Sequence, residues 1–335
     1  MTLLNPTPLR VSTMTVTGNL GVIPDLQRLY THCAFIPYWA AQEGVIKIKY
    51  GTEARGVCSE DILHTTAKCK SRFFNQASLV FRLRLPSNTR EEPTTFSGGR
   101  FKETNIKLFK NGSFQMTGIN SEEMARAAIQ QMIALNYTPG RDIWSAQPAI
   151  TKFNVCMMNS DYNVGAAIRR DRLYAILVKE YGLWCTFEPT IYQGVNTKFF
   201  WNSSRPADAP PGICACPEQC SGEGDGHGTG RCKKITISPF RTGSVIVTGA
   251  KEYCQLQDAY DFLNSVLAKY ETDVLREHST VPSAAPVVQK RQQLAPTTAI
   301  DILRLKKQSS PRALVRLAAV STQNAVSTQT AVATA

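Results

Sequence analysis

The order of apolar and polar residues predicts short strands interrupted by a few amphipathic helices. Val11–Thr17 is a β-branched run, Val45–Tyr50 alternates apolar residues with lysine, and Ala77–Leu85 has the same strand character. Ser121 followed by two glutamates is typical of a helix start, because a serine cap and early acidic residues both favour an amino terminus. Apolar residues then recur at helical spacing, at Met124, Ala128, Met132 and Leu135.

The second half is predicted to repeat this order. Its expected elements are the strand Phe153–Met158, the helix Ala166–Tyr181, the strand Val195–Trp201, the hairpin Ile235–Pro239 with Ser244–Thr248, and the helix Leu256–Tyr270. A short helix is also expected at Asp25–Cys33, and residues 51–72 and 86–102 are expected to be irregular insertions.

One segment occurs twice. Residues 107–118 read KLFKNGSFQMTG and residues 238–249 read SPFRTGSVIVTG, at a constant offset of 131. Each copy has an aromatic residue, a tight turn, a strand ending in Thr-Gly and then a helix. Asn111-Gly112 predicts a two-residue turn with positive φ at both positions. A repeat of this length that occurs only twice indicates a duplicated half-domain.

The repeat sets the expected domain organisation. The first half-domain spans residues 1–140, the second spans 141–275 with a Cys/Gly-rich insertion at about 203–232, and a basic, disordered tail spans 276–335. The 335-residue chain carries a net charge of +12, and its last 55 residues hold seven Lys or Arg against one acid. The folded part is therefore basic in its own right, which favours a polyanionic partner.

The repeated strand also predicts two different faces. Ser113, Gln115 and Thr117 point one way and Phe114 and Met116 the other, because side chains alternate along a strand. We expect helices to cover only the apolar face. In the second copy Ser244, Ile246 and Thr248 share the polar position.

This duplicated pattern resembles the TATA-box-binding protein family, over about residues 8–272. The stretches that carry the resemblance are FKNGSFQMTG, FEPTIYQGVNTKF and SPFRTGSVIVTGAK, and the long loops are similar to those of divergent members from large eukaryotic double-stranded DNA viruses. The resemblance implies an α+β saddle: two quasi-symmetric half-domains share one curved antiparallel sheet, with helices on the convex face. It also implies a transcription initiation factor that binds and bends duplex promoter DNA through the minor groove, wedging aromatic side chains between bases.

The resemblance assigns roles to residues in both copies. Phe109 and Phe240 match the wedge before each hairpin turn, and Thr117 and Thr248 match threonines that touch base edges. The other DNA-contacting positions that it assigns are Gln115, Ile246, Val11, Val155, Lys107 and Lys198.

Each wedge has an expected partner. Tyr192 is the partner in the second half, and Phe74 is its match in the first, because FNQASLVF aligns with YQGVNTKF without a gap. Phe73 fits with a one-residue slip, and another gap placement puts Gln76 there.

The chain departs from the family at several of these positions. Val11 and Val155 stand where the family has base-reading asparagines, and Gln115 and Lys107 replace apolar groove contacts. These departures leave the preferred DNA sequence open. They also support an alternative function, a saddle-fold protein-interaction scaffold of the transcription machinery.

The implied protein partners are a transcription factor IIB-like protein and the RNA polymerase machinery. Glu188 matches the loop on which the family docks transcription factor IIB, although Thr190 replaces a second acid there. An enzyme is disfavoured, because the sequence has no G-x-S-x-G motif and no Walker loop. We expect a non-enzymatic monomer with an internal pseudo-dyad and no membrane partner.

Four cysteines, Cys214, Cys216, Cys220 and Cys232, lie close together in the second insertion with the spacing C-x-C-x3-C-x11-C. Four thiols suit a tetrahedral Zn²⁺ ion, but the spacing is not a standard zinc pattern, and a flexible loop without metal is the alternative. No secretory signal is recognised at the amino terminus, so we expect ten reduced cysteines and an intracellular location, either the nucleus or a cytoplasmic viral factory.

Overall fold

The computed structural model describes residues 2–63, 73–85, 100–137 and 142–277. The strands are β1 (Arg10–Asn19), β2 (Gly44–Gly51), β3 (Glu53–Gly56), β4 (Phe73–Arg84), β5 (Phe101–Phe109), β6 (Ser113–Ile119), β7 (Lys152–Asn163), β8 (Ala167–Ile168), β9 (Trp184–Thr186), β10 (Asn196–Trp201), β11 (Lys233–Pro239), β12 (Ser244–Ala250) and β13 (Leu275–Arg276). The helices are α1 (Leu26–His32), α2 (Ser59–Leu63), α3 (Glu122–Asn136), α4 (Arg170–Lys179), α5 (Tyr253–Lys269) and α6 (Glu271–Val274).

Eleven of these strands form one antiparallel sheet, in the order β3-β2-β4-β5-β6-β1-β7-β12-β11-β10-β9. β1 and β7, the first strands of the two halves, pair at the centre. Outward from each of them the halves repeat the same sequence of hairpin strands, which places a pseudo-dyad between β1 and β7. The expected α+β saddle of two half-domains is confirmed.

The core lies between the sheet and four of the helices. Alternate strand residues such as Val16, Leu79 and Ile106 are fully buried beneath α1, α3, α4 and α5. α3 begins as predicted, since the Ser121 hydroxyl accepts a hydrogen bond from the Met124 N–H at 3.2 Å. Helix packing on one side leaves the other face of the sheet available.

Both hairpin turns have the same geometry, which differs from the predicted one. Asn111 does not have a positive φ; only the glycine does, at 76° for Gly112 and 82° for Gly243. The Phe109 carbonyl accepts from the Gly112 N–H at 3.0 Å, and the Phe240 carbonyl from the Gly243 N–H at 3.0 Å. The turn is therefore one residue longer than predicted, with a left-handed glycine closing it.

Some local predictions were wrong. Residues expected to be irregular form β3 and α2, whereas 64–72 and 86–99 lie outside the described residues. The helix expected from Ala166 begins only at Arg170, because β8 pairs with β13. The predicted tail falls almost wholly outside the described residues. Within the described ranges no helix is both long and apolar enough to cross a membrane.

Candidate nucleic-acid interface

The face of the sheet turned away from α1, α3, α4 and α5 is called the open face here. Directly paired residues of antiparallel strands point to the same side, so the register identifies its members. In the second half, pairing connects one row across the sheet: Trp184, Lys198, Thr236, Thr248, Asn159 and Thr13. In the first half a comparable row is Lys49, Ser78, Lys107, Gln115, Thr17 and Asn154. Hydroxyls, amides and lysines dominate both rows.

Six of the eight predicted DNA-contacting residues that are not aromatic lie on the open face. They are Thr117, Thr248, Gln115, Ile246, Lys107 and Lys198. Ile246 is 37% exposed, so the second half presents an apolar side chain where the first presents an amide. Alternation along the strands was enough to place five of them, and Lys198 was supplied by the resemblance.

The second half carries a partly exposed aromatic pair beside its hairpin tip. The rings of Tyr192 and Phe240 meet edge to face, with centroids 5.6 Å apart and an interplanar angle of 68°. Gly194 lies under the pair, and a Cβ there would be 2.9 Å from Tyr192 and 3.2 Å from Phe240. The absence of a side chain at this position gives the two rings room to meet.

The first half differs. Phe109 lies directly opposite Gln76 across β4 and β5, and among the described residues it makes no ring pair. Phe74 instead packs edge-on against Tyr50, with centroids 5.9 Å apart. Tyr50 pairs with Ala77, whose side chain is in the core, so Phe74 leans away from the open face.

Phe73 is the aromatic residue that shares the open face with Phe109. It lines a shallow depression with Lys49, Gln76 and Ser78, and it is 53% exposed. Of the three candidates for the first-half partner, Phe73 and Gln76 therefore lie on the open face. Phe74, the gap-free choice, does not.

Val11 and Val155 are placed on the core side, which corrects their assignment to the groove. Val155 pairs with the fully buried Val16, and Val11 pairs with the fully buried Ser160. Two bulges in the β1–β7 ladder, which alternation along the sequence does not reveal, change which residues face outward. The open-face residues nearest the pseudo-dyad are Thr13, Thr15, Met157 and Asn159.

Hydrogen bonds and a salt bridge fix the positions of positively charged side chains on the sheet. The Lys198 ammonium group donates to the Thr236 hydroxyl at 2.9 Å. Burial lowers the pKa of Lys198, and the nearby Lys234 lowers it further. Near the pseudo-dyad, Arg10 forms a salt bridge with Asp161 at 3.0 Å. Lys198 and Lys234 lie close together, and within the described ranges neither forms a salt bridge, so this pair of charges suits an anionic partner.

The outer end of the open face is covered in the first half. Lys47 forms a 2.6 Å salt bridge with Asp61 of α2, and Val80 packs against the small buried cluster that contains Cys58. Arg82 is fully buried and donates to the backbone carbonyls of Tyr38 and Gln42. The first insertion thus shortens the open face on one side, which the sequence pattern did not predict.

Glu188 lies on an exposed turn between β9 and β10. Its carbonyl accepts from the N–H groups of Ile191 and Tyr192, both at 2.9 Å. Ile191 is 86% exposed. This backbone geometry positions Tyr192, and it leaves the Glu188 side chain exposed beside an apolar residue at the rim of the sheet.

The four cysteines of the second insertion converge. Their sulfur atoms all lie within 4.8 Å of one another. Burial opposes ionisation of Cys214, but N–H groups of Cys220 and Cys216 outweigh it and lower the pKa of this thiol to about 7. His227 is bound elsewhere, to the Ser203 hydroxyl at 3.0 Å and to Glu252 at 2.8 Å.

Known proteins similar to this chain include one described as TATA-box-binding protein-like. No family model matches the chain. It is 27% identical, over 286 residues, to a protein of Acanthamoeba polyphaga mimivirus described as TATA-box-binding protein-like; the match covers 80% of this chain and 67% of the relative. The chain is thus similar in sequence to a viral protein described as TATA-box-binding protein-like. Among solved structures, the TBP of Methanococcus jannaschii aligns with 79% of this chain and 99% of its own, at 15% identity and a TM-score of 0.41.

Proposed function

We propose that the chain is a transcription initiation factor that binds duplex DNA with its open face in the minor groove, and bends it with aromatic wedges. The observation that carries this proposal is the Tyr192–Phe240 pair. The exposed Tyr192 ring and the half-buried Phe240 ring meet at a hairpin tip, and neither belongs to the hydrophobic core. Apolar side chains in such positions suit insertion between base steps, which kinks the duplex.

The surroundings of the pair support a polyanionic partner. Thr248, Thr236 and Asn159 offer hydroxyl and amide groups along one row that also contains Lys198. Such groups fit the degenerate hydrogen-bonding edges of the minor groove, and lysine fits phosphate. The net charge of +12 adds long-range attraction.

The two halves are not equivalent in this proposal. In the first half, Gln76 stands opposite Phe109 and the outer face is covered by α2 and its loop. We therefore assign the stronger kink to the second half, with Phe109 and Phe73 contributing a weaker one.

The likeness to TATA-box-binding proteins also supports docking of a transcription factor IIB-like protein and the polymerase machinery. The exposed turn with Glu188 and Ile191 is the surface proposed for the first of these. In this role the chain acts by positioning partners on bent DNA, without catalysis.

The test uses a short duplex labelled at both ends. Energy transfer between the labels measures bending, and a gel shift at low salt measures binding. We expect the wild-type chain to bind duplex DNA at low salt and to shorten the distance between its ends. The double variant Tyr192→Ala/Phe240→Ala should lose most of the bending, whereas Tyr253→Ala, an exposed aromatic residue at the start of α5, should bend normally. Absence of any shifted duplex with the wild-type chain at low salt would leave the scaffold function in place of this one.

A further inference from the structure

The sulfur atoms of the second insertion have the spacing of a tetrahedral metal site. Cys214 and Cys220 are 3.3 Å apart, Cys216 and Cys232 are 3.6 Å apart, and Cys232 and Cys214 are 3.7 Å apart. Zinc–thiolate bonds of about 2.3 Å in a tetrahedron place the sulfurs about 3.8 Å from one another. The observed separations therefore need only small adjustments to enclose a metal ion.

Hydrogen-bond donors surround the cluster. The Gly230 N–H points to the Cys216 sulfur at 3.1 Å, and the Asn202 amide points to the Cys232 sulfur at 3.5 Å. Four thiolates around one divalent cation leave an excess of negative charge, which such donors stabilise. Neutral thiols carry no negative charge, so these N–H donors would stabilise them much less.

The insertion has little else to fold it. Between residues 203 and 231, all of which the structure describes, the buried residues are Gly212, Gly222 and Gly226. No apolar side chain of this segment is buried, so it has no hydrophobic core of its own. Segments of this kind are commonly held by metal or disulfide crosslinks.

We infer that Cys214, Cys216, Cys220 and Cys232 bind one structural Zn²⁺ ion. All four tetrahedral positions are taken by sulfur, which leaves no open position for water or substrate, so the site is structural. Zinc is favoured over harder cations because the donors are four thiolates.

The ion fixes the insertion against the outer part of the second half. Cys232 precedes β11 directly, and the loop that the site closes contacts α5 through Asp225, whose carbonyl accepts from the Gln255 amide at 2.8 Å. His227 adds its 2.8 Å contact with Glu252, next to the start of the same helix. The site thus links the end of the sheet to α5, away from the aromatic pair.

The test is metal analysis of the purified full-length chain. We expect about one zinc per chain, and a strong reduction in Cys216→Ser. Cys254→Ser is the matched control, since Cys254 is exposed at the start of α5 and outside the cluster, and it should retain the metal.

Cobalt reconstitution of the wild-type chain keeps the inference testable even where a serine variant does not fold. Co²⁺ bound by four thiolates gives intense visible bands of tetrahedral type together with near-ultraviolet charge-transfer bands. Their appearance, and their loss on addition of zinc, is the expected result. Wild-type chain with four free thiols and no metal, or with a Cys214–Cys220 disulfide found by mass spectrometry, would overturn the inference whatever the DNA-binding result.

Discussion

Gln76 lies directly opposite Phe109, whereas the corresponding position in the second half is Gly194, which lies against Phe240. The side chain of Gln76 occupies the position beside Phe109. Gly194 has no side chain, so the Tyr192 ring can lie against Phe240. The two hairpin tips are therefore chemically unequal although their turns share one geometry. This inequality gives the DNA-binding proposal its most direct tests.

Bending is expected to depend mainly on the second half. Phe240→Ala should reduce the bend angle of a bound duplex much more than Phe109→Ala, because in the part of the chain that the structure describes Phe240 packs against another ring and Phe109 does not. Energy transfer between the duplex ends measures the bend angle with each variant. Equal losses from the two variants would contradict the asymmetry, and Tyr253→Ala serves as the control.

Gly194→Ala is expected to separate bending from stability. The added Cβ would be 2.9 Å from the Tyr192 ring, so the ring pair has to open. Both rings are partly exposed and can move, so the free energy of unfolding should change by less than about 1 kcal/mol. Denaturant titration and the bending assay on the same preparation check this. Unchanged bending would mean that the ring pair is not the wedge.

Much of the fold followed from the sequence because the repeat fixes the order of elements. Alternation in the hairpin strands placed Thr117 and Thr248 on the open face, and the family resemblance supplied Lys198. The alignment with the family assigned Val11 and Val155 to the groove, but bulges in the β1–β7 ladder, which leave no signal in the residues, place them on the core side. The sequence pattern also failed for α2 and the buried Arg82, where tertiary contacts rather than local pattern decide the structure. Trp184, 63% exposed at the end of the second-half row, was missed because only strand pairing places it.

The salt dependence of DNA binding should report the lysines of the open face. Lys107→Ala and Lys198→Ala are each expected to reduce the slope of log affinity against log salt by about 1, because each removes one phosphate contact. Lys269→Ala on α5 is the control, since this lysine lies over Tyr181 and Tyr270 on the helical side. Fluorescence anisotropy over a salt series measures the slopes. If the slope is unchanged in both open-face variants, Lys107 and Lys198 do not contact phosphates.

DNA affinity should also fall with rising pH earlier than an ordinary lysine predicts. Burial and the neighbouring Lys234 lower the pKa of Lys198, so its positive charge is lost below the usual value near 10.5. A bound phosphate favours the charged form, and binding is therefore weakened as pH rises through this lowered pKa. Lys234→Gln should move the midpoint to higher pH, because it removes the repulsion. Anisotropy titrations at constant salt compare the midpoints of the wild-type chain and of Lys234→Gln. Coincident curves would contradict an effect of Lys234 on the pKa of Lys198.

The hairpin glycines should be needed for folding as well as for the wedge position. A Cβ on Gly112 would lie 2.0 Å from the Val22 carbonyl oxygen, at a φ of 76°. Gly112→Ala combines backbone strain with a clash against backbone that cannot turn aside, so we expect a loss of at least about 2 kcal/mol in the free energy of unfolding. Gly228→Ala is the matched control: its φ is 93°, but nothing lies within 4 Å of the added Cβ, so only strain of about 1 kcal/mol is expected. Chemical denaturation of both variants measures the difference. Equal losses would show that the contact with Val22 does not constrain the turn, and that the left-handed conformation alone selects glycine there.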